Sequence, residues 1–179
     1  QGSVRLRGAS MNKLILCEGA TDAILLSYYL ERTAGWKFVR QPPQGVSIRA
    51  TEQNEEVTWY KKNNDYLLIC AVGGKDNFGK FFDDKIQKPL VMSDAFEKIA
   101  IVADRDNREV SEIETEASAF LKVPCGTIKN NQWNDCSYTN EFRMEKTFSA
   151  LLVVIPQEQQ GASEIDMGCT VSGKSLFLN

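Results

Sequence analysis

Along this 179-residue chain, three short apolar runs each stop at a turn or an acidic residue. Leu14-Ile15-Leu16-Cys17 leads into Glu18-Gly19-Ala20-Thr21-Asp22. Tyr66–Val72 runs into Gly73-Gly74-Lys75, and Ile99–Ala103 runs into Asp104-Arg105-Asp106. Runs of this length with turn residues behind them read as buried parallel strands. The first strand is expected over Lys13–Cys17. Spacing near 3.6 residues predicts helices between the strands. One covers Asp22–Arg32, with Ala23, Leu26 and Leu30 on a shared face and Gly35 past its end. Others cover Asn77–Gln87 (before Pro89), Leu90–Glu97, and Glu109–Leu121 with Ile113, Ala117 and Phe120 at core spacing.

The remaining segments are less regular. Polar and apolar residues alternate over Val46–Tyr60 around Asn54-Glu55, which predicts a hairpin or edge insertion. Pro124–Tyr138 is polar and irregular, and Phe142–Ile155 reads as a strand pair closed by Pro156. Residues 1–10 lack periodicity and read as a vector-derived or disordered lead. Strands alternating with helices over 11–179 predict a single α/β domain, with a largely parallel central sheet flanked by helices.

In open α/β sheets, ligands gather outside the carboxyl ends of the strands. The acidic residues here fall at such ends. Asp104 and Asp106 are two apart, so in extended backbone both side chains point the same way and can share a Mg²⁺ or Mn²⁺ ion. The same pattern also suits a polar loop whose aspartates cap the next helix. Asp22, in a first helical turn with Thr21 as a cap, is already favoured by the helix dipole. Glu18 is harder to explain by structure alone, because a charge directly after a buried strand is costly to desolvate.

Composition narrows the chemistry. The chain has no histidine, which excludes Ser-His-Asp and Cys-His systems and His-ligated zinc. Acid–base work must then run on carboxylates, Lys, Tyr or Cys. A formal net charge of -3 argues against a broadly basic nucleic-acid platform, although bound metal can supply the positive charge a phosphate requires. Cys17, Cys70, Cys125, Cys136 and Cys169 are scattered without a Cys-x-x-Cys pair. They read as buried thiols of a reducing, cytoplasmic compartment. No run approaches the roughly 18 apolar residues of a membrane span.

Taken together, a strand, Glu-Gly-x-x-Asp and a helix, then a glycine turn, then a strand ending in Asp-x-Asp resemble the Toprim family. That family includes topoisomerases, bacterial primases, OLD nucleases and small ribosomal-RNA maturases. By motif the resemblance covers about Lys13–Asp106. Val154-Ile155-Pro156 with Gly161-Ala162-Ser163-Glu164 is similar to a segment of small stand-alone Toprim-like proteins of unknown function. One departure stands out: Asn107-Arg108-Glu109 occupies the place where the family usually has a glycine after Asp-x-Asp. The resemblance implies a Toprim-like (Rossmann-like) fold and a Mg²⁺ or Mn²⁺ site. In that reading Glu18 is general acid/base or metal ligand, Asp104 and Asp106 are the metal pair, and Asp22 and Glu164 are supporting carboxylates. Gly73, Gly74 and Lys75 form the glycine turn beside the site.

Two segments mimic phosphate loops. Gly74–Lys80 follows a strand but continues with Phe81 where Ser or Thr should bind Mg²⁺. Gly168–Ser175 fits the full pattern but is followed only by Leu176–Asn179, too short for the helix that would cradle phosphate. The resulting expectation is metal-dependent phosphodiester hydrolysis on DNA or RNA. Alternatives are a non-catalytic binding module, with a protein partner or a second copy of the chain, and a P-loop-like nucleotide binder.

Overall fold

A computed structural model describes residues 11–121 and 127–156. Seven strands form one sheet in the order β2-β3-β4-β1-β5-β7-β6. They are β1 Asn12–Cys17, β2 Lys37–Val39, β3 Glu56–Lys62, β4 Asp65–Ala71, β5 Lys98–Asp104, β6 Trp133–Thr139 and β7 Glu145–Ile155. The helices are α1 Ala20–Ala34, α2 Phe78–Phe81, α3 Gln87–Ser93 and α4 Val110–Leu121.

The expectation of a largely parallel, Toprim-like (Rossmann-like) sheet does not hold. Pairings β1–β4, β1–β5 and β5–β7 are parallel, whereas β2–β3, β3–β4 and β6–β7 are antiparallel. The sheet is mixed, with antiparallel strands along both flanks. The cause is local. Asn63, at φ 55, reverses the chain between β3 and β4 within two residues, and so short a connection can join only antiparallel strands. This hairpin falls later than the alternation around Asn54-Glu55 indicates. A second short reversal joins β6 to β7, where Asn140 accepts the Phe142 and Met144 amides, each at 3.0 Å. Part of the supposedly irregular Pro124–Tyr138 stretch is therefore strand β6, and the expected strand pair over Phe142–Ile155 is the single strand β7.

Alternate residues of the central strands serve two cores. Leu14, Leu16, Leu68, Cys70, Ile99, Ile101, Leu152 and Val154 face α2–α4, while Ile15, Cys17, Ile69, Val102 and Val153 face α1. Phe78, Phe81 and Phe82 are buried, as their spacing predicts. The helix expected over Asn77–Gln87 is a composite. A 3₁₀ turn at Lys75–Asn77 runs into α2, then into a π turn at Phe82–Ile86 and on into α3. Pro89 explains the widening: it has no N–H to donate, and its ring crowds the carbonyl four residues back.

Cys17 and Cys70 are buried free thiols, as expected, but Cys136 is disulfide-bonded. Among the described residues no helix is long and apolar enough to cross a membrane. Leu68, fully buried on β4, tests the core. Leu68→Ala is expected to lower unfolding free energy by about 2–5 kcal/mol, read from the urea midpoint at unchanged slope.

Candidate functional site

The site begins where β1 ends. The Glu18 carbonyl accepts the amides of both Gly73 and Gly74, each at 3.0 Å, which folds the turn after β4 onto the end of β1. That turn requires glycine, since Gly73 has φ 85 and Gly74 φ 132. On the other side β5 lies parallel to β1 with Cys17 opposite Val102. Residues just past β1 therefore meet the end of β5, and the Asp104 amide donates to Glu18 Oε1 at 3.0 Å. The result is an open cleft of about 570 Å³, whose lining includes Glu18, Asp22, Gln53, Asn54, Glu56, Gly73 and Asp104.

Two carboxyls in this cleft are displaced toward neutral pH. Glu18 is raised chiefly by burial; the Asp104 amide and Arg108 pull the other way, while Asp104 and Asp106 repel its charge. Asp104 is raised by burial first, then by Asp22 and Asp106. Cys17, the last residue of β1, has its thiol pushed far up by burial and by Asp22, Glu56, Asp104 and Glu18. A thiol held protonated is no nucleophile. Site chemistry therefore falls to the carboxylates.

The remaining expected residues divide. Asp22 lies in the cleft wall, yet its Oδ2 accepts the Gly19 amide at 3.1 Å and closes the start of α1. Capping thus belongs to Asp22 rather than Thr21. Asp106, at φ 49, turns to Lys75, whose Nζ lies 3.4 Å from its Oδ2, and it does not line the cleft. Glu164 lies outside the described residues, as does Gly168–Ser175. In the first phosphate-loop mimic, Lys80 pairs with Asp84 at 3.0 Å, one helical turn along.

Among the described residues, no three His, Cys, Asp or Glu side chains form a group set to hold a metal ion. Gln53, Asn54 and Glu56 were not singled out from sequence. The signal available was position: Glu56 pairs with Ala71, directly before the glycine turn.

No family model matches the chain, and none of the curated proteins does. The solved structure of a hypothetical protein, PH0156 from Pyrococcus horikoshii OT3, is similar at TM-score 0.52 and 20% identity. The match covers 79% of this chain and 54% of that one, so the chain spans about half its length. This likeness concerns the fold alone. A lactoylglutathione lyase from Agrobacterium tumefaciens reaches TM-score 0.23 at 16% identity, over 81% of this chain and 95% of that one. A score that low carries no argument about fold or chemistry.

The raised carboxyls give a signed expectation. A carboxyl whose folded pKa exceeds its unfolded value binds protons more readily when folded. Its destabilising effect is absent at low pH, sets in as pH rises past the unfolded value, and is complete above the raised folded value. Asp104→Asn removes one such group and one repelling charge from Glu18. Its thermal midpoint at pH 7 should equal or exceed wild type, and its stability should fall less steeply between about pH 4 and 7. Calorimetry across that range checks it, and a lower midpoint at pH 7 would show Asp104 to be a brace rather than a site carboxylate.

Proposed function

We propose that the acidic cleft carries out metal-dependent phosphodiester hydrolysis on nucleic acid. The observation that carries this reading is the junction of Glu18 and Asp104, two part-buried carboxyls brought together by separate strand ends and linked through a backbone amide. The Toprim-like arrangement of Glu18, Asp22, Asp104 and Asp106 in the sequence supports it independently of sheet type.

The donor set suits a hard cation. Mg²⁺ is commonly held by one or two carboxylates together with substrate phosphates, so a ready-made cage is not required. Glu18 and Asp104 are the side chains that would hold Mg²⁺ or Mn²⁺. The bound ion would supply charge neutralisation on the phosphate and a more acidic water. Burial raises Glu18 above the ordinary glutamate range, which makes it a stronger proton acceptor than a free carboxylate. Asp22 keeps the first turn of α1 against the cleft, and Asp106 with Lys75 forms an outer pair. Gly73 and Gly74 let the chain turn at the cleft edge, since both hold positive φ.

A second reading, a non-catalytic binding module that meets a protein partner or its own copy, is favoured by the lack of a three-ligand group among the described residues. A cytoplasmic setting belongs to the same proposal; the free thiols of Cys17 and Cys70 support it, while the Cys136 disulfide weighs against it.

Labelled DNA and RNA incubated with Mn²⁺, and separately with chelator, separate the two. Wild type should cleave only with metal. Glu18→Gln and Asp104→Asn should each lower the rate by about 10²–10⁴-fold with the fold intact by circular dichroism. Wild type that binds oligonucleotide without cutting it would leave the binding module standing.

A further inference from the structure

The loop over residues 49–55 forms one wall of the cleft without regular secondary structure of its own. What orders it is a side chain from the helical segment after β4. Lys85, in the π turn, spends all three ammonium donors on this loop. Its Nζ lies 3.0 Å from the Arg49 carbonyl, 2.7 Å from Thr51 Oγ1 and 3.2 Å from Glu55 Oε2. The two charged side chains are only 10% and 6% exposed. Glu55 Oε2 also accepts the Thr51 and Glu52 amides, at 2.9 and 3.2 Å. Burial alone would raise this carboxyl, yet those amides and Lys85 outweigh it and hold it below the usual range.

The loop so pinned abuts the site directly. A Cβ placed at Gly73 would lie 3.4 Å from both Asn54 Cβ and the Asn54 carbonyl oxygen. Gln53 and Asn54, beside the pinned Glu55, line the same cleft as Glu18 and Asp104.

We infer that Lys85 is a positioning residue: through Glu55 it locks the 49–55 loop as a fixed wall against which substrate is seated. The inference rests on the hydrolytic reading for its effect on substrate, but not for its effect on the loop. Lys85 touches neither Glu18 nor Asp104 and meets the cleft lining only through Glu55, so its influence should fall on substrate binding rather than on bond cleavage.

Lys85→Met leaves the buried Glu55 without its counter-charge, which can unfold a protein. The double variant Lys85→Met/Glu55→Gln removes both charges but keeps an oxygen to accept the Thr51 and Glu52 amides, which keeps the test clean. Amide exchange should be at least about tenfold faster at residues 51–55 in both variants, with β1 and β5 unchanged. With a labelled oligonucleotide and Mn²⁺, KM should rise about tenfold while kcat stays within about threefold of wild type. A folded double variant that keeps wild-type protection at 51–55, or that loses kcat with KM unchanged, overturns the inference. Wild type that cleaves nothing defeats the hydrolytic reading, and the exchange result still decides whether Lys85 fixes the loop.

Discussion

A single backbone carbonyl, that of Glu18, organises the acidic edge of this protein. By accepting two consecutive amides from Gly73 and Gly74, it ties the turn after β4 to the end of β1. The parallel register of β1 with β5 brings Asp104 to the Glu18 side chain. One residue therefore uses its main chain to hold one neighbouring strand and its side chain to hold the other. Any shift of register would separate these bonds, because a one-residue slip turns every side chain to the opposite face.

The electrostatics follow from that junction. Bringing Glu18, Asp22, Asp104 and Glu56 around one cleft concentrates negative charge where solvent is partly excluded. Asp22 gains some return by closing the first turn of α1, and Asp106 gains it from Lys75. Glu18 and Asp104 gain less and are driven toward their protonated forms. The contrast with Glu55 is instructive. It is also removed from water, but amides and an ammonium surround it, and its acidity moves the opposite way.

How much was legible in the sequence depends on how local the signal was. Strands β1, β4 and β5 were visible because a buried central strand is a continuous apolar run. Helix α1 was visible from Ala23, Leu30 and Gly35, the last closing it at φ 74. Strand β6 was not, because only Cys136 and Tyr138 are buried along Trp133–Thr139, and a half-exposed flank strand reads as polar loop. Its pairing with β7, and the Asn63 reversal, are what make the sheet mixed. Neither is encoded in apolar spacing. The site shows the same division. Glu18, Asp22 and Asp104 stood out because each follows a strand or opens a helix. Glu56 reaches the cleft as the first residue of β3, and the Gln53-Asn54 wall does so through the fold of a loop held by Lys85, a residue some thirty positions along the chain.

Cys17 directly precedes Glu18 and is buried at the end of β1, with its sulfur 3.3 Å from the Cys70 carbonyl. Thiol reagents attack the thiolate, a form that this position suppresses by both burial and surrounding negative charge. Labelling of Cys17 in the native protein must therefore wait for excursions in which the end of β1 parts from its neighbours. The rate of its modification becomes a clock for the opening of the end of β1, built into the chain.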